Sequence, residues 1–185
     1  MATQTAPTTK WNVDPTHSQI GFRVKHMVIS TVSGLFKNFT VEVETDGDDF
    51  STAKVNVTIE TASVDTGSDQ RDGHLKSDDF FNAEQFPQIT FVSDSVKKVN
   101  DQLYQLHGEL TVRDITRPIT LDVEYGGVIK DPYGLTRAGF AVAGSINRRD
   151  YNLRWSALTE AGGMVVSDDV RINCEVQITK QQPQS

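Results

Sequence analysis

Residues 71 to 81, RDGHLKSDDFF, place an arginine, a histidine, a lysine and three aspartates within eleven positions. Arg71, Asp72 and His74 are the types that general acid–base chemistry uses, since an imidazole beside a carboxylate can shuttle a proton near neutral pH. That chemistry needs a nucleophile or a bound substrate, and no serine or cysteine here stands in a nucleophile motif. Metal binding has as little support. His17, His26, His74 and His107 show neither His-x-His nor His-x-x-x-His spacing, and Cys174 is the only cysteine. Folding can gather distant ligands, so spacing alone leaves a metal site open. The plainer reading makes the stretch a lid. Ion pairs and caps would fix a short helix, and Leu75, Phe80 and Phe81 would face something apolar.

What such a lid would close depends on its surroundings. The chain has 185 residues, 37% of them hydrophobic and 23% charged, which suits one globular domain with a real core. Acidic residues outnumber basic ones by 25 to 18, for a net charge of −7. That balance argues against a nucleic-acid partner and a polybasic membrane anchor. MATQTAPTTK lacks a charged region followed by an apolar run, so a cytoplasmic location is expected, or a periplasmic or secreted one if a leader was removed. Residues 1–10 and 181–185 are expected to be mobile segments flanking one domain over 11–180.

Alternation with a period of two dominates that domain. Ile20, Phe22, Val24 and His26 share a face opposite Gln19, Gly21, Arg23 and Lys25. The same pattern recurs at 39–44, 54–60, 89–92, 104–113, 119–125, 140–146 and 170–179. Strands with one apolar and one wet face belong to antiparallel sheets. Turn-forming residues separate most of them, at TDGDD, VNDQ and KDPYG. Eight such strands make a two-sheet sandwich or a closed up-and-down barrel. The long connection over 61–87 is the exception. Ser68 and Ser77 are candidate helix N-caps followed by acidic residues, which predicts one or two short helices across one end of the sheet.

Taken in order, WNVDPTHSQIGFRVKHMVISTVSGLFKNF, RDGHLKSDDFF, QFPQITF, HGELTVRDITRPITLDV, GFAVAGSINRRDYNL and SDDVRINCEVQI resemble the YceI-like polyisoprenoid-binding family from about Trp11 to Ile178. Asp114 and Asn152 depart from the family pattern, both at expected turns. The resemblance implies an all-β fold: an eight-stranded antiparallel, lipocalin-like barrel with a short helical insertion at about 61–87. It also implies a non-catalytic protein that holds a long-chain polyisoprenoid or isoprenoid quinone for transport, storage or sequestration. A fatty acid or fatty amide binder, and an enzyme acting on a lipid head group, are the alternatives.

Whether such a barrel is hollow is open from pattern alone. Gly108, Gly144 and Ser93 occupy inward positions and would leave a bore, or else mark bulges and bends. With the resemblance, the expected lining is Phe22, Val24, Phe36, Phe39, Val57, Ile89, Phe91, Leu106, Leu110, Val142 and Cys174, although plain core packing fits each of them. Taking a methylene out of water is worth at most about 0.8 kcal/mol, and large ligands realise roughly 0.3 kcal/mol per heavy atom, so a prenyl tail needs no polar contact to bind. Pyrophosphate or quinone oxygens need donors, and His26, Arg71, His74 and Arg148 are the head-group candidates. No catalytic residue, metal or obligatory cofactor is assigned beyond the bound lipid. The expected partners are that lipid, a membrane in transient contact, and a second copy in a homodimer that exposed edges leave open.

Overall fold

Alternation is realised as eleven β segments and one α-helix in the structure, a computed structural model that describes residues 7–27, 29–155 and 166–181. The segments are β1 (Thr8–Val13), β2 (Gln19–His26), β3 (Ser30–Phe36), β4 (Phe39–Asp46), β5 (Asp49–Glu60), β6 (Val64–Asp65), β7 (Gln88–Lys98), β8 (Leu103–Val112), β9 (Ile115–Lys130), β10 (Thr136–Asn147) and β11 (Val166–Lys180), with α1 (Asp69–Lys76) between β6 and β7. Every pairing is antiparallel.

Three breaks reduce these segments to eight staves, one of them the 3-10 turn at Thr61–Ser63 after which β6 continues β5 along β3. A 3-10 turn at Pro15–His17 divides β1 from β2, yet both lie along β11, as Val13 opposite Ile178 and Ile20 opposite Cys174 show. Their partners β4 and β3 are divided in the same way at Lys37 and Asn38. The ring then runs β4–β5–β7–β8–β9–β10–β11 and closes through β1 on β11. Closure satisfies both edges of the sheet. The sandwich alternative is thereby excluded.

Strand β1 begins at Thr8, so Thr8 to Lys10 lie inside the barrel wall, where Lys10 faces Glu44. The amide of Gln181 in turn donates to the Lys10 carbonyl at 2.8 Å. Residues 1–6 and 182–185 lie outside the described residues. Two strands also run further than alternation indicates. Strand β7 continues to Lys98 because a register shift between Ser93 and Ser95 adds a residue and returns Val96 to the inner face. Strand β9 continues to Lys130 past Gly127, whose φ of +109° accompanies the shift against Gly139 and Phe140.

One end of the barrel is sealed by aromatic packing. The ring of Trp11, 1% exposed, lies 5.1 Å from that of Phe50, and Phe50 meets Phe140 at 5.1 Å and Tyr125 at 5.5 Å. Trp11 Nε1 donates to Thr45 Oγ1 at 3.0 Å, which satisfies the indole in an otherwise apolar plug. Outside this end, Arg137 joins Asp14 and Asp131, each at 2.7 Å, and ties the β1–β2 break to the β9–β10 hairpin.

The 61–87 connection lies across the opposite end. Ser68 caps α1 as expected, its hydroxyl accepting from the Arg71 amide. Ser77 does the reverse of what its sequence context suggests. It ends α1 and donates its hydroxyl to the His74 carbonyl, and the residues after it form turns, so a single α-helix results. Arg113 fastens those turns to the β8–β9 hairpin, donating to the carbonyls of Asp78 and Phe80 and pairing with the Asp78 carboxylate at 3.0 Å. Asn152 takes the left-handed conformation (φ +62°), but in the β8–β9 turn it is Arg113 (φ +56°), not Asp114, that does so.

Candidate functional site: an apolar barrel interior with a polar rim

The inner faces of the staves enclose a cavity of about 410 Å³. That lies within the roughly 300–1,000 Å³ range of sites that hold drug-sized ligands. Its wall is almost wholly apolar. Of the residues expected to line it, Phe22, Val24, Phe36, Val57, Ile89, Phe91, Leu106, Leu110, Val142 and Cys174 do so. Phe39 does not. It opens β4 just after the break at Lys37 and Asn38 and packs half-buried against the core, while its cross-strand neighbour Ile59 reaches the cavity.

The small inward residues do not form the bore. A Cβ on Gly108 would stand 2.5 Å from Cζ of Phe91 and 2.5 Å from the Val92 carbonyl oxygen, so the glycine leaves room for the Phe91 ring to lie against the wall. Gly144 makes room for Leu121 in the same way, at 2.5 Å. The hydroxyl of Ser93 accepts from the Val55 amide and mends the ladder at the β7 shift. The space arises instead between larger side chains that meet across the barrel without filling it.

Alternation also misses several wall residues. Phe50 and Ala53 follow a register shift in the β4–β5 hairpin, which puts Phe50 out of phase with Val55, Val57 and Ile59. A large apolar residue directly after TDGDD was the available signal for it. Phe80, Leu153 and Trp155 come from connections, where no period applies.

Cys174 faces the cavity from β11, between Val142 and Ile20 on the neighbouring strands. Burial pushes its thiol up to about 11, so it is a neutral apolar wall group at ordinary pH. Tyr151, 1% exposed, has no hydrogen-bond partner for its hydroxyl among the described residues, and burial pushes it up to about 12. Tyr151 and Leu153 are buried towards the α1 end of the barrel, and Leu153 and Trp155 line the cavity.

Among the described residues, the charged and histidine side chains of the lining collect at that end. Lys25 and Arg71 are exposed, His26 and His74 half-buried, and all four line the cavity together with Thr66. This rim is the mouth. The four head-group candidates differ in what their polar atoms already do. Arg71 donates from Nε to Thr66 Oγ1 at 2.7 Å and from Nη2 to the Thr66 carbonyl at 2.8 Å. Asp72 accepts the Thr66 amide and hydroxyl on one carboxylate oxygen, at 2.8 and 2.6 Å. The pair therefore grips Thr66 and staples α1 to the preceding turn. His74 donates to Asp79 at 2.9 Å, its ring held edge-on against Phe80 at 5.0 Å and Trp155 at 4.8 Å.

Arg148 is 2% exposed and meets four backbone carbonyls, those of Leu153 (2.5 Å), Trp155 (2.7 Å), Ser167 (2.9 Å) and Val166 (3.4 Å). Desolvation pulls its guanidinium below the usual range, partly offset by Asp168. It touches the cavity, but its donors are committed to holding the chain on either side of the mouth. That leaves His26, at the end of β2, as the candidate whose ring engages no hydrogen bond among the described residues. The described residues hold no cluster of three or more metal-ligating side chains.

The chain matches the model of the YceI-like domain over residues 11–178. A UPF0312 protein of Staphylococcus aureus is 39% identical over 172 residues, covering 92% of this chain and 98% of its own, and one of Staphylococcus epidermidis is 38% identical over the same span. Among solved structures, the YCEI protein of Campylobacter jejuni superposes with a TM-score of 0.75 at 35% identity, over 85% of this chain and 90% of its own. BcnA of Burkholderia cenocepacia gives 0.78 at 24% identity, over 89% and 98%. A domain of Saccharophagus degradans described as polyisoprenoid-binding gives 0.65 at 18% identity, over 91% and 97%. The two last share the fold.

Proposed function

Because the chain belongs to the YceI-like family, we propose that its barrel carries a long-chain polyisoprenoid or isoprenoid quinone, with the tail in the cavity and the polar end at the rim. One observation carries this reading. An apolar cavity of about 410 Å³ is sealed by aromatics at one end and, among the described residues, has its charged and histidine lining at the other. A ligand with a greasy body and one polar terminus matches that polarity. The polyisoprenoid-binding description of the Saccharophagus degradans domain points the same way.

Affinity for such a tail comes from apolar surface removed from water, so tight binding needs no charged partner. Among the described residues His26 is the rim candidate whose ring holds no hydrogen bond and so can donate to a quinone or phosphate oxygen, and Lys25 stands beside it. The protein performs no reaction on this cargo. The acid–base set in RDGHLKSDDFF supports that view, since Asp72 and Arg71 both hold Thr66. Carriage between membranes, storage and sequestration all follow from reversible binding, and each requires brief contact with a bilayer.

Organic extraction of the purified protein followed by mass spectrometry tests the proposal. A prenyl lipid recovered near one per chain is the expected result. A straight acyl chain in its place would make the protein a fatty acid or fatty amide binder. Recovery of no long-chain molecule, with no uptake of added ubiquinone, contradicts the reading.

A further inference from the structure

Beside the mouth, the β2–β3 hairpin turns through Met27 and Ile29, which are 46% and 87% exposed. Met27 sits at φ +53°. Glycine or asparagine adopts that conformation with less strain, so turn geometry does not explain a methionine there. Two large apolar side chains thus project from the tip of a hairpin whose last strand residues, Lys25 and His26, line the cavity.

The outer wall below the tip is basic. Arg23, Lys25 and Arg171 are exposed, and Arg23 stands directly opposite Arg171 across β2 and β11. Like charges in that position repel, yet none of the three makes an ion pair with a described carboxylate. Lys25 donates instead to Thr31 Oγ1 at 3.1 Å. Asp169 and Glu175 are the exposed carboxylates on this face of β11. Glu175 shares with Asp122, Glu124 and Arg23 an outer groove that lies further from the tip, Glu175 standing opposite Gln19. The three cations lie on the tip side of those groove carboxylates, on a chain whose net charge is −7. No helix among the described residues is long and apolar enough to cross a membrane.

We propose that the β2–β3 tip is a docking device for an anionic bilayer: Met27 and Ile29 enter the boundary between head groups and acyl chains, while Arg23, Lys25 and Arg171 meet lipid phosphates. A small apolar wedge and a few cations together give reversible attachment, which neither gives alone. The contact sets the mouth against the lipid surface, where a prenyl tail enters or leaves without crossing water. This role rests on the carrier reading of the cavity. The exposed Ile129 and Tyr133 belong to the β9–β10 hairpin at the sealed end, which has no opening to serve.

Flotation of the full chain with vesicles provides the test. Mixed phosphatidylglycerol–phosphatidylcholine vesicles are compared with phosphatidylcholine alone, at low and high salt. Binding to the anionic vesicles at low salt is expected, reduced at least about tenfold in Met27→Glu/Ile29→Glu. Arg23→Gln/Arg171→Gln should weaken binding and flatten its salt dependence, while Ile129→Glu/Tyr133→Glu should bind as the unaltered protein does. Ubiquinone uptake from detergent, followed by tryptophan fluorescence, is read in parallel and should be unchanged in the tip variant. Uptake without vesicle binding overturns the docking site and leaves the carrier reading standing. Unchanged vesicle binding by the tip variant, or loss in the β9–β10 variant, also overturns it, as does retention on an acidic protein with none on vesicles. Tip-dependent vesicle binding without quinone uptake supports the lipid contact and overturns the carrier reading.

Discussion

Arg148 Nη1 donates to the carbonyl of Trp155 at 2.7 Å, and through this bond a buried cation holds an aromatic residue of the cavity wall in place. The same guanidinium reaches the Ser167 carbonyl at 2.9 Å, so both ends of the connection over 156–165 converge on one side chain. Arg148 thus ties Trp155 and Ser167 to the same edge of the mouth that β2 and α1 line.

Replacing Arg148 with methionine keeps much of the packing and removes every donor. Hydrogen bonds from charged groups contribute roughly 1.5–3 kcal/mol each, and the stranded carbonyls add a desolvation cost. A loss of about 3 kcal/mol in urea unfolding is expected, with a red shift of tryptophan emission. Unchanged stability would mean that the carbonyls find water at no cost.

Asp72→Ala should separate staple from catalyst. Loss of both bonds to Thr66 is expected to lower stability by about 1–2 kcal/mol and to speed amide hydrogen exchange over 66–76. Ubiquinone binding should survive. Abolished binding with normal exchange would assign Asp72 to the ligand instead.

Gly108→Ala puts a Cβ 2.5 Å from both the Phe91 ring and the Val92 carbonyl oxygen. Phe91 lines the cavity, so displacing its ring changes the cavity wall. Destabilisation of about 1–3 kcal/mol together with weaker ligand binding is expected, read by urea unfolding and quinone titration. An alanine variant with native stability and affinity would show that the ring does not depend on the glycine.

Asp14 accepts from Thr16, His17 and Arg137, and these bonds hold its carboxyl well below the usual range despite an opposing effect of burial. Asp131 is lowered as well, chiefly by Arg137. A carboxyl depressed in the folded state contributes stability that is complete above its unfolded value near 3.8 and is lost as pH falls from there towards the folded value. Urea midpoints should therefore drop below about pH 4, and Asp14→Asn should flatten that drop. Parallel pH profiles for the two proteins would remove the Asp14 cluster as the cause.

The legible part of this fold is the part with a period. Ile20, Phe22 and Val24 read directly as an inner face, and so do Leu106 and Leu110, because a stave with one wet side has no other way to arrange them. What stayed hidden lies where the period breaks or where no strand exists. Trp11 is followed closely by Pro15, and its strand shares its role with β2 across a 3-10 turn that local pattern does not bridge. Val96 returns to the inside only because of an inserted residue at the Ser93–Ser95 shift. Arg148 looked like a ligand group because its charge is visible in sequence, whereas the carbonyls that occupy it are not. Ring closure itself became evident from Trp11 facing Lys180, a pairing between the two ends of the chain.

The central claim is that the space inside the barrel is a binding site, and ubiquinone titration of the unaltered protein against Val57→Phe/Val142→Phe tests it most directly. Both positions line the cavity, so the added rings take up its volume and leave the rim intact. Saturable binding near one per chain is expected for the unaltered protein, with affinity lowered at least about tenfold in a variant that still unfolds cooperatively. Equal affinity in the two proteins, or none in the first, would contradict it.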